Sequence, residues 1–422
     1  MTAITDFPLE LINHIIDNLR YHKPSLASAS LIAQTWNPRA RYHLFRDIGK
    51  LPGNKQGYGY PRLNRFVELC TNEYSTIPNA GPRILRIVPL GSDALRHFSD
   101  ALLKDNLAKK VFWNVEELSI TCSNSDERMQ FERLVNSGCF SQVKKLEMIG
   151  CSFITEGTPE MVTIILSFGC LEDLCLHGPL SSFMSPSVFG NRNECFSLSH
   201  FPKLLRRLTF LVSQWYSHDL TIPLWLFCGC STLEEIVVDC LTSHHIKEIE
   251  YFLEHSTATI RQMTFLTGLG GFSSDDRERL KKMISASSSR VEDIVIRGYM
   301  DRLCYMFSGT AEVGNTPPRN LKKIILMPET WVREDHVQMF EAMVEKSVFF
   351  HGLEEIHLQL LVWLPRGAMD EAGWDEETRT VRVGSDPHQC GQKELTRSLG
   401  LFNEKGRTKR LLIPSVIYEI EY

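Results

Sequence analysis

Beyond residue 62 one pattern of apolar positions recurs, apolar-x-x-apolar-x-apolar. It reads Val115-Leu118-Ile120, Val143-Leu146-Met148, Leu171-Leu174-Leu176, Leu205-Leu208-Phe210 and Leu233-Ile236-Val238. It continues as Ile260-Met263-Phe265, Val291-Ile294-Ile296, Leu321-Ile324-Leu326 and Leu353-Ile356-Leu358, with starts 27 to 34 residues apart. Pro82-Leu85-Ile87 is an earlier, degenerate copy. Strand side chains alternate, so the fourth and sixth motif positions face a core while the third, fifth and seventh face outward. One short strand cannot bury its own apolar row, and the copies are expected to stack, one strand and one helix per unit. The intervening segments agree: Ile246, Ile249 and Leu253 in 243–255, and Val337, Phe340 and Val344 in 333–347, fall at i, i+3 and i+7.

A second regularity runs through the polar positions. The second and third motif residues are Glu116-Glu117, Lys144-Lys145, Glu172-Asp173, Arg206-Arg207, Glu234-Glu235, Arg261-Gln262, Glu292-Asp293, Lys322-Lys323 and Glu354-Glu355, alternating in sign at every repeat. Parallel strands in register lie about 4.8 Å apart, so one repeated charge would form a repelling column. Alternation makes a ladder of opposite neighbours instead, each worth roughly 0.2–1 kcal/mol. This specifies register; it is not a binding feature.

Residues 6–48 predict three short helices. Asp6 and Pro8 suit the start of the first, Ser25 is positioned to cap a second over 26–33, and Asn37-Pro38 opens a third over 38–45. On the first helix, at about 100° per residue, Leu9, Leu11, Ile12, Ile15, Ile16 and Leu19 cover an arc of about 160°, wider than the roughly 100° one buried face requires. A module this short builds little core of its own. The surplus either packs on the following domain or meets a partner, and pattern alone leaves both open.

Phe7-Pro8-Leu9-Glu10-Leu11, then Ile15-Ile16, Leu19, Leu26 and Leu31-Ile32-Ala33-Gln34-Thr35-Trp36, resemble the F-box in order and spacing. The run Arg41-Tyr42-His43-Leu44-Phe45-Arg46 resembles its continuation in fungal F-box proteins, while Phe7 stands where leucine is commonest and Gln34 where a basic residue is frequent. The resemblance implies docking on a Skp-family adaptor, and through it a cullin, by Phe7, Pro8, Leu9, Leu11, Ile12, Ile15, Ile16, Leu19, Leu26, Leu31 and Trp36. The downstream period marks a leucine-rich repeat. The expected fold is thus α/β, a three-helix F-box at 1–50, a Gly/Pro-rich linker at 51–61, a solenoid of about nine to ten repeats over 62–360 with its parallel sheet on the concave side, and a tail or cap at 361–422.

Composition adds exclusions. Of 422 residues 43 % are hydrophobic and 23 % charged, as in a globular chain. A net charge of −5 gives no global basic field for nucleic acid or anionic lipid. The start MTAITDFPLE lacks a signal pattern, and the charge-free runs 174–191 and 220–233 are broken by Pro, Ser and Gly, so neither secretion nor membrane insertion is expected. Twelve scattered cysteines fit a reducing cytoplasmic or nuclear compartment.

The outward fifth and seventh positions are mixed in early repeats (Ser119, Thr121, Glu147, Ile149, Cys175, His177) and apolar later. Val237, Leu266, Val295, Ile325 and Met327, with Asp239 and Arg297 as polar selectors, are therefore the expected anchors for a protein target, unless residues 361–422 cover them. No catalytic, phosphate-binding or zinc-protease motif occurs. Cys228-x-Cys230 lacks zinc-site spacing and reads as buried thiols, and His244-His245 reads as a solvated helix start. Neither metal nor cofactor is expected. The reading is a target-recruiting subunit of a Skp–cullin–F-box ubiquitin ligase without catalysis of its own. The alternatives are a scaffold of the same build outside any ligase and an enzyme with an unsigned site.

Overall fold

The computed structural model describes residues 8–48, 81–88, 92–104, 110–122, 125–150, 164–177, 202–211, 224–238, 243–266, 274–287, 291–298, 303–305, 323–328, 355–364, 374–375, 380–381 and 412–420, and residues 68, 339 and 342. Two compact units divide the chain, Met1–Leu205 and Arg206–Tyr422.

The first unit begins with α1 (Leu9–Asn18), α2 (Lys23–Ile32) and α3 (Asn37–Arg46). Pro8 precedes the first turn of α1, its carbonyl accepting from the N–H groups of Leu11 and Ile12. Ser25 does not cap α2. The His22 ring takes that role, Nδ1 accepting from the Ser25 N–H at 3.3 Å, because Pro24 sits in the first turn and moves the start upstream. Asn37 likewise opens α3 from inside, its side chain donating to the Ser30 carbonyl at 3.0 Å. Ile12, Ile16, Leu26, Ala29, Trp36 and Ala40 form the core of the trio. Asp17 on α1 ties it to α3: Arg39 donates from Nε at 2.6 Å and from a terminal nitrogen at 2.8 Å, and His43 Nε2 stands 2.7 Å from Oδ1. Those contacts pull the Asp17 carboxyl down to about 2, the Arg39 guanidinium first among them.

A short strand β1 (Asp47–Ile48) follows α3 directly and pairs in parallel with β2 (Ile84–Ile87), Asp47 beside Ile84. Then come α4 (Ser92–Lys104), β3 (Glu117–Thr121), α5 (Ser125–Asn136), β4 (Lys145–Ile149) and β5 (Asp173–His177), with β2 to β5 parallel in chain order. Gly138 after α5 has φ +76°, the left-handed ending that favours glycine.

The second unit repeats the scheme. Its strands are β6 (Arg207–Leu211), β7 (Glu235–Val238), β8 (Gln262–Leu266), β9 (Asp293–Gly298), β10 (Lys323–Pro328) and β11 (Glu355–Leu364), parallel from β6 to β11. Helix α6 (Ser243–His255) matches the expected 243–255, and α7 (Ser274–Ser287) precedes β9. The helix expected over 333–347 lies outside the described residues except for 339 and 342, both helical. In the tail, β12 (Trp374–Asp375) and β13 (Thr380–Val381) form an antiparallel pair. Strand β14 (Leu412–Ile420) extends the sheet, parallel to β11 from Ile356 beside Leu412 to Leu364 beside Ile420. Pro414 within it suits an edge, since a proline has no N–H for another neighbour.

All nine motif copies are strands, and every fourth- and sixth-position side chain from Leu118 to Leu326 is buried. Within each unit, register is held by a repeated backbone clamp in which the carbonyl of a second-position residue accepts the N–H groups of the second and third positions of the next repeat. Arg83 receives Glu116 and Glu117 at 2.8 and 2.9 Å, Glu116 receives Lys144 and Lys145, and Lys144 receives Glu172 and Asp173. Arg206 and Arg261 do the same in the second unit. A turn before the strand also repeats, the Phe112, Phe140 and Phe168 carbonyls accepting from Val115, Val143 and Leu171 at 3.1, 3.2 and 3.3 Å. These phenylalanines are buried, and Phe98–Phe112 and Phe112–Phe140 meet edge to face at 5.7 and 6.4 Å.

The third-position charges stand beside one another as expected, Glu117 by Lys145, Lys145 by Asp173, Arg207 by Glu235 and Asp293 by Lys323. Arg207 reaches Glu235 at 3.3 Å, and Arg83 of the degenerate copy pairs with Glu116, extending the alternation one strand earlier.

Candidate functional site

The wide apolar arc of α1 divides in two. Ile12 and Ile16, at about 300° and 340° from Leu9, fill the helical core, and Leu19 packs at its margin. Leu11 and Ile15, at about 200° and 240°, are 51 % and 43 % exposed, and Pro8 and Leu9 are exposed at the helix start. On α2, Leu26 is buried while Leu31 is 85 % exposed beside an exposed Ile32. Of the residues expected to meet an adaptor, Pro8, Leu9, Leu11, Ile15 and Leu31 are thus available. Ile12, Ile16, Leu26 and Trp36 are instead buried in the core of the trio, which leaves them little open surface. Phe7 lies outside the described residues.

The outward sheet face of the second unit differs from expectation. Val237, Val295 and Ile325 are only 6, 5 and 7 % exposed. Each is flanked by the fifth-position residues of both adjacent strands: Thr209 and Thr264 for Val237, Thr264 and Ile325 for Val295. Apolar character there marks packing, and the premise that these side chains stand free is corrected. Arg297 is half-buried at a seventh position beside Leu266 and Met327. Asp239 lies outside the described residues, as do the side chains of Leu266 and Met327.

In the first unit the corresponding face is polar and half-open. Glu147 on β4 sits between Ser119 on β3 and Cys175 on β5, and His177, two places beyond Cys175, points the same way. The His177 Nε2 is 2.9 Å from Glu147 Oε1. The His177 ring, then the Ser119 hydroxyl and the Lys145 ammonium, hold the Glu147 carboxyl down to about 2 against the opposing effect of burial. In the sequence these positions face outward but stand apart; the register that sets Cys175 opposite Glu147, with His177 two places along β5, is the signal that joins them.

Two smaller expectations resolve differently. Cys228 and Cys230 are buried, and burial with the neighbouring Cys228 pushes the Cys230 thiol up to about 12, an unreactive state at neutral pH. His245 is buried, not solvated, because it occupies the core side of α6 beside Ile246 and Ile249. Among the described residues no helix is long and apolar enough to cross a membrane.

No protein-family profile matches the chain, and no curated protein matches it. Among solved structures it is similar to the leucine-rich repeat-containing protein LegL7 from Legionella pneumophila, at 13 % identity and a TM-score of 0.42, over 81 % of this chain and 99 % of that one.

Proposed function

We propose that the chain is a fungal-type F-box protein, recruiting a target to a Skp–cullin–F-box ubiquitin ligase. The observation that carries this is the division of α1. A helix with Ile12 and Ile16 committed to a core still displays Leu11 and Ile15, next to a module whose α2 displays Leu31 and Ile32. Several apolar side chains left in water on so small a module fit a docking surface better than a packing remainder. The order Phe7-Pro8-Leu9-Glu10-Leu11 through Trp36, which resembles the F-box, supports a Skp-family adaptor as the partner.

Function then follows by proximity, with no chemistry performed by this chain. The helices hold the adaptor and the cullin behind it. The strand array holds a protein target, whose lysines reach high effective concentration beside the conjugating enzyme. On the outward face of the first unit, Ser119, Thr121, Glu147 and His177 are half-buried and within reach of such a target. Co-expression of the full chain with a Skp-family adaptor and a cullin tests the reading: all three should co-elute as one complex. Adaptor without cullin identifies a scaffold outside any ligase, and no adaptor at all rejects the proposal.

A further inference from the structure

The outward face of β3 to β5 gathers one group of metal-ligating side chains. Cys175 and His177 are two residues apart on β5, so both project from the same face, and in-register pairing sets Glu147 opposite Cys175. One ligand atom from each, a sulfur, an imidazole nitrogen and a carboxylate oxygen, all lie within 4.8 Å of one another. His177 Nε2 is hidden from solvent and lies 2.9 Å from Glu147 Oε1, so imidazole and carboxylate already converge beside the Cys175 thiol.

We propose that Glu147, Cys175 and His177 form a binding site for a zinc-type divalent cation, with a fourth position left to water or to a donor from a bound molecule. Tetrahedral zinc with bonds of about 2.0–2.3 Å sets its donors about 3.3–3.6 Å apart. The Glu147–His177 separation of 2.9 Å has to open by only about 0.4 Å, a side-chain rotation. Thiolate with imidazole selects zinc, cobalt or a similar ion over calcium or magnesium, which take oxygen ligands. Glu147 is already a carboxylate; Cys175 gives its thiol proton to solvent as the metal–sulfur bond forms. Ser119, beside Glu147 on β3, orients the carboxylate from behind. The site stands independently of the ligase reading, since nothing in it involves the N-terminal helices.

Titrating the metal-free full-length chain with cobalt(II) chloride tests the proposal, read by the thiolate-to-cobalt charge-transfer absorption and by competition with zinc chloride. One equivalent should develop the band and zinc should displace it. Cys175→Ser should abolish it and Ser119→Ala should weaken cobalt binding by about 10–100-fold. Cys228→Ser with Cys230→Ser should leave it intact. Should Cys175→Ser fail to fold, His177→Gln, at a half-buried position, must reduce the affinity at least tenfold. Absence of the band in the wild-type chain, or a band of unchanged affinity in folded Cys175→Ser or His177→Gln, overturns the site.

Discussion

Reversing one rung of the charge ladder tests how the parallel register is specified. Lys145 stands between Glu117 on one side and Asp173 on the other. In Lys145→Glu two attractions become two repulsions. At about 6 Å in a water-like dielectric each pair is worth roughly 0.7 kcal/mol, about half of that after screening at physiological salt. Four such half-values give about 1.4 kcal/mol, and rotation of exposed side chains away from one another reduces the loss to about 1 kcal/mol. For a unit of this size that is a fall of about 2–4 °C in Tm. Adding Glu117→Lys restores one opposite pair, so the double variant should lose about 1 kcal/mol less than the two single losses summed. In about 1 M salt, where the Debye length is about 3 Å, most of the effect should vanish. Thermal melts of the four chains at two salt concentrations decide it. Additive losses, or losses insensitive to salt, refute the ladder.

Other outcomes follow from the same contacts. The Asp17 carboxyl is depressed in the folded chain, so its contribution is complete above the unfolded value of about 3.9 and lost as pH falls toward about 2. With the side chain about a third exposed, solvent screening reduces that contribution to about 1 kcal/mol, and urea melts of Asp17→Asn against wild type should converge at the acid end of this window. A difference that persists unchanged at pH 2 contradicts the Asp17–Arg39–His43 assignment. Because Val295 and Ile325 are buried, Val295→Ser with Ile325→Ser should lower stability by about 3 kcal/mol in a urea melt, and an unchanged midpoint would show that the two side chains stand free.

The strands were legible because their fourth and sixth positions must be apolar wherever a one-strand unit stacks, and Leu118 through Leu326 obey that rule. The turn phenylalanines Phe112, Phe140 and Phe168 lie outside the strand rows, three residues ahead of each motif's first position and five ahead of its strand, so strand alternation gives them no mark. Alternation predicts which way Val237 or Ile325 points but not what lies above it, so packing was read as exposure. On α1 the periodicity established a surplus of apolar arc, and only tertiary contacts could say that Ile12 and Ile16 are core while Leu11 and Ile15 are surface. The tail was read by composition, although Arg410 precedes Leu412 by two residues as Glu354 precedes Ile356, with opposite sign, continuing the ladder in the sequence itself. Glu147, Cys175 and His177 become neighbours only once the register is applied across strands.

The central claim is that exposed residues of α1 and α2 dock on an adaptor, and the most direct test is the affinity of the Leu11→Asp, Ile15→Asp double variant for a purified Skp-family adaptor, measured calorimetrically beside the wild-type chain. Both side chains are about half exposed, so folding should be preserved in circular dichroism, whereas Ile12→Asp in the core should unfold the helices. Two carboxylates placed in an apolar contact cost several kcal/mol, and the account predicts at least a 100-fold loss of affinity from a wild-type chain that binds one adaptor. A folded double variant binding the adaptor as tightly as wild type contradicts it.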